Sequence, residues 1–377
     1  MKITDIEVIQ LRVPGWDAST FDGSYDDVVL VVHTDAGISG IAEVDSVPEV
    51  IRAIIETRSS HTGSMGLKEC ILGQDPLDIA ALWDRMYYAT RYVGRRGCVI
   101  HAMSGIDIAL WDIKGKAEGM PVSHLLGGGH RRDRIKAYGT VYPLGMSPDE
   151  VRRNIDRGLR IGLRAIKLAA SEFWKDDIEF TGRLIRAARD HVGPDIDLIV
   201  DAATAWSKAE DGLPLMGLFK DCGISWLEAP LELDDVDGHA RFQGWGIPIG
   251  GGDLGLTTHH EYADILDRGK CDIAQPDITV VGGYTETLKV AEMVRKRGKR
   301  IVPHGYKTNL LVATNLHFLA QHFADEMCEY STSESPLRWE LTRERFPIGS
   351  DGKIAVPTGP GLGVSLDPAA LEKFRVA

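Results

Sequence analysis

Short apolar runs recur along the last two thirds of the chain, and their spacing constrains the fold more than any other feature. They fall near 135–141 (IKAYGTV), 164–169 (RAIKLA), 196–202 (IDLIVDA), 224–229 (ISWLEA), 247–252, 272–276 (DIAQP), 300–304 (RIVPH) and 326–330 (EMCEY), roughly 30 residues apart. Amphipathic helical segments lie between most of them. A strand–helix unit repeated about eight times over roughly 200 residues predicts an α/β fold with a parallel barrel of TIM type. A doubly wound sheet is the alternative, but it carries a glycine fingerprint after its first strand, and none is present. Active sites on such barrels sit at the C-terminal ends of the strands, so the search for chemistry is narrow.

The first third reads as α+β. Residues 3–13 alternate, 26–34 (DDVVLVVHT) are rich in β-branched types, and 38–44 (ISGIAEV) follow the turn Asp35-Ala36-Gly37. These predict a three-stranded meander. Helical patterns follow near 48–57, 76–90 and 98–118, the last carrying Ile106, Leu110 and Ile113 and stopping at Gly119 with Pro121 beyond. Gly127–Gly129 and the charged HRRDR (130–134) predict a boundary near 125–135, and the tail 350–377 reads as extended and turn-rich. With 43 basic and 55 acidic residues the net charge is −12, which disfavours nucleic acid and anionic membranes as partners. No apolar stretch of 18 or more residues occurs, and the opening MKITDIEVIQLRVPG alternates like a strand rather than a leader, so the expected address is cytoplasmic. Five cysteines without CxxC spacing predict neither a disulfide framework nor a zinc ribbon.

Three successive barrel strands end in carboxylates: Asp201 (LIVDAA), Glu228 (SWLEAP) and Asp253 (PIGGGDLG). Neighbouring strands lie about 4.8 Å apart, so three acids at one rim can converge, and an all-oxygen set suits a hard ion, Mg²⁺ first. The plainer reading is that such acids cap the following helices. Asp277 (AQPDIT) and His304 (IVPHGYKT) end the next two strands. A carboxylate on one imidazole nitrogen leaves the other as a general base, although a histidine bonded to a backbone carbonyl would look the same in sequence. Lys167 ends the second strand (AIKLAAS) and Glu329 the eighth (CEY). The lysine suits a substrate carboxylate or the acids. The glutamate, if protonated, can hydrogen-bond a substrate carboxylate.

Together these segments resemble the enolase superfamily, in its mandelate racemase-like branch. AMSGIDIALWDIKGK (102–116) is similar to the family's helix before the barrel, QPD, the glycines 282–283 and PHG sit where the family has them, and PGLGVSL (360–366) resembles its closing segment. The resemblance implies a (β/α)7β barrel over residues 130–335, an α+β capping domain over 1–125, and a C-terminal segment, 336–377, returning to the cap. It implies Asp201, Glu228 and Asp253 as ligands of Mg²⁺, Asp277 and His304 as a catalytic dyad, and Lys167 and Glu329 as further catalytic groups. It also implies a homo-oligomer, dimer or octamer.

Departures from the family pattern carry information. Family racemases have Lys-x-Lys on the second strand, and here the second position is Ala169. Alanine moves no proton, so a two-sided racemisation loses one partner, whereas a one-base dehydration does not. Asp253 replaces the more usual Glu, Ala203 stands where many members have Asn, and Ala229 where many have a second Glu. The expected activity is therefore Mg²⁺-dependent dehydration of a sugar acid to a 2-keto-3-deoxy acid. The alternatives are a sugar-lactone cycloisomerase or epimerase of the same family, and a non-catalytic metal-binding paralogue. The family reads substrates with two cap loops, here about 14–26 and 45–49. These nominate Trp16, Phe21 and Tyr25 as pocket walls, and Asp17, Asp45 and Ser46 as hydroxyl ligands. Trp174, Trp206, Tyr306 and Lys307 lie just beyond strand ends and join them as substrate candidates.

Overall fold

A computed structural model describes residues 1–17, 22–129, 132–142, 145–169, 177–253 and 255–376. Near the N-terminus, β1 (Ile3–Arg12), β2 (Asp26–Thr34) and β3 (Ser39–Val44) pair antiparallel in chain order. Helix Cys98–Glu118 lies against β2 and β3. Contact is close because Gly40 has no side chain; a Cβ there would come within 1.9 Å of the Ala109 carbonyl oxygen. This helix is buried over most of its length, since it also packs on the barrel helix Gly283–Lys296. Its polar residues join parts of the molecule. Ser104 Oγ accepts from Gly282 N (2.8 Å) and Asp107 from Thr285 N (3.0 Å). Asp112 accepts from Ile41 N (2.9 Å) in the sheet and from Leu362 N (2.8 Å) in the tail.

Eight parallel strands follow: β4 (Arg134–Val141), β5 (Ala165–Ala169), β6 (Asp197–Asp201), β7 (Ile224–Glu228), β8 (Ile249–Gly251), β9 (Ile273–Ala274), β10 (Arg300–Ile301) and β11 (Met327–Ser331). Helical segments occupy each of the seven connections, as a (β/α)7β barrel requires. The ladder runs β11–β4–β5–β6–β7–β8–β9–β10. Its two ends meet at the site, where Gly305 N, just past β10, donates to Glu329 Oε2 on β11 (2.9 Å). Every apolar run of the sequence contributes a strand. β9 and β10 are shorter than their runs because Pro276 and Pro303 have no N–H to give the ladder. The regular pairing ends there, shortly before Asp277 and His304. A bond from His304 N to Pro276 O (3.2 Å) still holds the two segments side by side.

Strand parity builds the floor of the site. Tyr138, Ala165, Ile199, Trp226, Ile273, Val302 and Met327 form an apolar cluster separate from the main core. Tyr138 and Trp226 meet edge-to-face across it at 5.5 Å. Residues two further along each strand share that face. They are Thr140, Lys167, Asp201, Glu228, Gln275, His304 and Glu329, so a polar layer rests directly on an apolar one. The sequence placed Lys167 and Glu329 at strand ends; both instead lie mid-strand, in this layer.

The tail adds β12 (Lys353–Ala355) antiparallel to the start of β4 and then runs back to the first sheet. Gly361 N donates to Met120 O (2.9 Å), and Val376 N donates to Gln10 O (2.9 Å). Among the described residues no helix is long and apolar enough to cross a membrane.

Candidate active site

Lys167 is the centre of the polar layer. It is 1% exposed, and its ammonium contacts Glu228 Oε1, Glu329 Oε1 (2.8 Å) and Asp201 Oδ2 (3.5 Å). β6 and β7 are in register at Asp201 and Glu228, which puts those acids side by side. Glu228 Oε2 accepts from Trp226 Nε1 (3.1 Å) and Gln275 Nε2 (2.5 Å). The Gln275 amide has room because residue 250 is glycine; a Cβ there would lie 2.0 Å from Gln275 Oε1. Glu329 also accepts from the Thr140 hydroxyl. Asp253 stands past β8, half-buried, within electrostatic reach of Glu228 and Asp201.

Opposite, His304 Nδ1 lies 2.8 Å from Asp277 Oδ2. An ionised carboxylate only accepts, so Nδ1 carries the proton and Nε2 is the nitrogen left for chemistry. Asp277 is fixed in turn by Thr279, through its N (2.7 Å) and Oγ1 (2.6 Å). His304 Nε2 sits 4.0 Å from Glu329 Oε2.

Charge is unevenly supplied here. Burial pushes up Asp201, Glu228 and Asp253, and their mutual repulsion adds to it, with Asp253 reaching about 6. Burial alone would lower the pKa of Lys167, but the carboxylates around it hold it well above the usual lysine value. Burial likewise opposes the imidazolium of His304, yet Glu329 and Asp277 raise it to about 10. For Glu329, burial is outweighed by Lys167 and His304, and its pKa falls to about 2. This corrects one expectation. Glu329 is engaged as an acceptor by the Lys167 ammonium, the Thr140 hydroxyl and Gly305 N, so it has no proton to give a substrate carboxylate.

Three carboxylates pushed up around a single ammonium are short of positive charge. Asp201, Glu228 and Asp253 offer only oxygen, from three neighbouring strands, and so fit a hard divalent ion. Among the described residues the most compact ligand group is a different one, Asp45, Asp277 and His304, whose donor atoms lie within 4.8 Å of one another. Its members are already engaged: the histidine with Asp277, Asp277 with Thr279, and Asp45 with Lys307 (3.4 Å). The strand-end acids do not meet that spacing, and the Lys167 ammonium contacts both Asp201 and Glu228.

Both strand-end acids precede left-handed backbone, at Ala203 (φ 45°) and Ala229 (φ 42°). The turn at Ala203 lets its N–H donate to Asp201 Oδ1 (2.8 Å). Asparagine tolerates this conformation better than alanine. Ala203→Asn should therefore raise unfolding stability by up to about 1 kcal/mol in urea titration; a loss instead would mean that the Ala203 turn is not strained.

The substrate candidates divide. Trp16 and Tyr25 stack on each other, centroids 3.9 Å apart and 5° from parallel, half-exposed in the first cap loop. That loop is tied to the segment after β11 by Ser24 Oγ to Ser333 Oγ (2.6 Å) and Ser335 Oγ to Ser24 O (2.8 Å). Ser46 Oγ bonds His101 Nδ1 (3.0 Å). Tyr306, two residues past His304, is half-buried, and burial raises its phenol. Trp206 is a correction. It is 0% exposed, stacks on Phe242 at 6.0 Å and packs against Gly212, so it belongs to the core and not to the rim. Phe21 and Trp174 lie outside the described residues. The sequence did not single out Thr140 or Gln275; period-two counting from Tyr138 and Ile273 would have found both.

Residues 149–370 match the enolase C-terminal domain-like family, and residues 8–127 match the mandelate racemase / muconate lactonizing enzyme N-terminal domain. The chain belongs to the enolase superfamily, in its mandelate racemase-like branch. Among the curated members of that superfamily, D-galactarolactone cycloisomerase of Agrobacterium fabrum is 35% identical, over 100% of this chain and 99% of its own. Arabinonate dehydratase of Saccharolobus solfataricus is 31% identical, over 82% and 81%. The crystal structure of the 3,6-anhydro-D-galactonate cycloisomerase from Zobellia galactanivorans covers 100% of both chains, with 29% identity and a TM-score of 0.87. Relatives of this superfamily chain are thus enzymes that process sugar acids.

Proposed function

We propose that this protein is a hydro-lyase that removes the proton next to the carboxylate of a sugar acid and expels the oxygen at the neighbouring carbon. The observation that carries the proposal is the inventory of proton carriers. β5 and β6 are in register at Ala169 and Asp201, so the position facing the site above Lys167 holds a methyl group. Lys167 itself is locked as an ammonium by Glu228 and Glu329. That leaves His304 as the base, and one base suffices for an elimination.

Asp201, Glu228 and Asp253 would hold a divalent ion, Mg²⁺ by their chemistry, and such an ion, when bound, neutralises charge developing on a substrate carboxylate. Neutral His304 takes the α-proton on Nε2, while Asp277 keeps the ring oriented and stabilises the imidazolium. Lys167 faces the developing enediolate with a fixed positive charge. Glu329 holds that ammonium in place and favours the charged form of His304. The imidazolium then returns its proton to the departing 3-hydroxyl. The carbon–oxygen bond breaks, water leaves, and the enol tautomerises to a 2-keto-3-deoxy acid. Trp16, Tyr25, Ser46 and Tyr306 are our candidates for the residues that shape the substrate pocket. We take the cap as 1–125, the barrel as 130–335 and the returning segment as 336–377, with a homo-oligomeric, cytoplasmic enzyme acting on small acid sugars.

A second reading has its own support. One relative aligned along the whole chain is a cycloisomerase, and for that reaction a ring oxygen in place of the 3-hydroxyl would be the leaving group. Acid sugars and their lactones, incubated with Mg²⁺ in D₂O and followed by NMR, test both. A keto product from open-chain acids supports the dehydratase; conversion of lactones alone supports the cycloisomerase. Absence of both product and α-deuterium across the panel would overturn the enzyme assignment.

A further inference from the structure

Lys307 lies three residues beyond His304 and is 4% exposed. Its ammonium donates to the carbonyls of Gly23 (2.7 Å) and Asp26 (3.0 Å), and lies 3.4 Å from Asp45 Oδ1 and 3.5 Å from Asp26 Oδ1. Two of the ammonium's three protons go to these carbonyls, and the carboxylates of Asp26 and Asp45 flank it as ion pairs. Lys307 is thus not free to bind substrate, which corrects its place among the substrate candidates. Its partners come from both cap loops: Gly23 and Asp26 close the first, and Asp45 opens the second. The adjacent Thr308 N bonds Glu43 Oε1 (3.2 Å) at the end of β3. Asp45 N in turn donates to Thr279 Oγ1 (3.1 Å), and that hydroxyl donates to Asp277 Oδ1 (2.6 Å). A continuous set of polar contacts therefore runs from Lys307 through the second cap loop to the carboxylate that orients His304.

We propose that Lys307 is a positioning residue, a clasp by which the barrel holds residues 22–26 of the first cap loop and Asp45 of the second beside the His304–Asp277 dyad. Without its ammonium, the carbonyls of Gly23 and Asp26 lose their shared donor, and Asp45 faces Asp277 with no cation between the loops and the barrel. Residues 22–26 and 45–47 then loosen, and substrate binding weakens more than turnover. The kinetic part rests on the proposed function; the structural part does not.

Hydrogen–deuterium exchange of the free protein tests the clasp without any substrate. In Lys307→Met, amides of residues 22–27 and 44–47 should exchange at least about ten times faster than in wild type, with the barrel strands unchanged. Lys307→Arg, which keeps the charge, should restore most of the protection. On an acid sugar identified by the NMR screen, Lys307→Met should raise KM about tenfold or more, with kcat within about threefold of wild type. Should Lys307→Met fail to fold, Asp45→Asn replaces it, and faster exchange confined to residues 44–47 is expected. Unchanged exchange in these segments, or a fall in kcat at constant KM, would overturn the proposal. Loosened loops in a protein inactive on every acid sugar would sink the proposed function and leave the clasp standing.

Discussion

Replacing His304 with asparagine should lower kcat by about 10²–10⁴-fold, the usual contribution of a positioned general base. Asparagine fills similar space and can still donate to Asp277, so the fold and the strand-end acids stay as they are. Magnesium binding measured by calorimetry should therefore be unchanged, which separates loss of the base from loss of the site. The pH dependence follows from the same group. Only neutral imidazole accepts a proton, and Glu329 and Asp277 favour the imidazolium. Wild-type kcat/KM should accordingly rise with pH on its acidic side, and that limb should vanish from the residual activity of the variant. Near-normal turnover by His304→Asn would remove His304 from the mechanism altogether.

Lys167→Met should give the largest loss of stability. Methionine matches the aliphatic stem but leaves Glu228 and Glu329, both 0% exposed, without their cation. Breaking a buried pair by deleting one partner costs about 3–5 kcal/mol, because the survivor stays charged in a poor dielectric. Urea unfolding of the metal-free protein should show a loss of that size. Magnesium should recover part of it, since an ion held by Asp201, Glu228 and Asp253 binds the folded state only. A loss below about 1 kcal/mol in metal-free buffer would mean that Lys167 is not the cation on which these acids depend.

Much of the site could be read in the chain because barrel strands are local objects. A run such as LIVDAA names its own last residue, and the positions of Asp201, Glu228, Asp277 and His304 along their strands follow from counting. Prolines 276 and 303 were visible too, although their effect of ending the ladder before the dyad needed the neighbouring strands. Trp206 was misplaced because an indole just past a strand end looks the same in sequence whether it lines the rim or packs on Phe242. Gln275 was overlooked because its value lies in reaching Glu228 across the space left by Gly250. Lys307 was the least legible. Its carbonyl partners are 284 and 281 residues away, and no spacing rule connects a loop near residue 25 with one near residue 307.

The amino-acid order alone determined the strand–helix rhythm, and through the two-residue period of a strand it determined which side chains stand on the apolar floor. The tertiary structure decided their charge states and their couplings. Ionised Glu329, ammonium Lys167 and the raised imidazole of His304 each depend on burial and on charges brought close by folding. Electrostatic energy follows distance in space and the local dielectric, and neither is written in sequence separation.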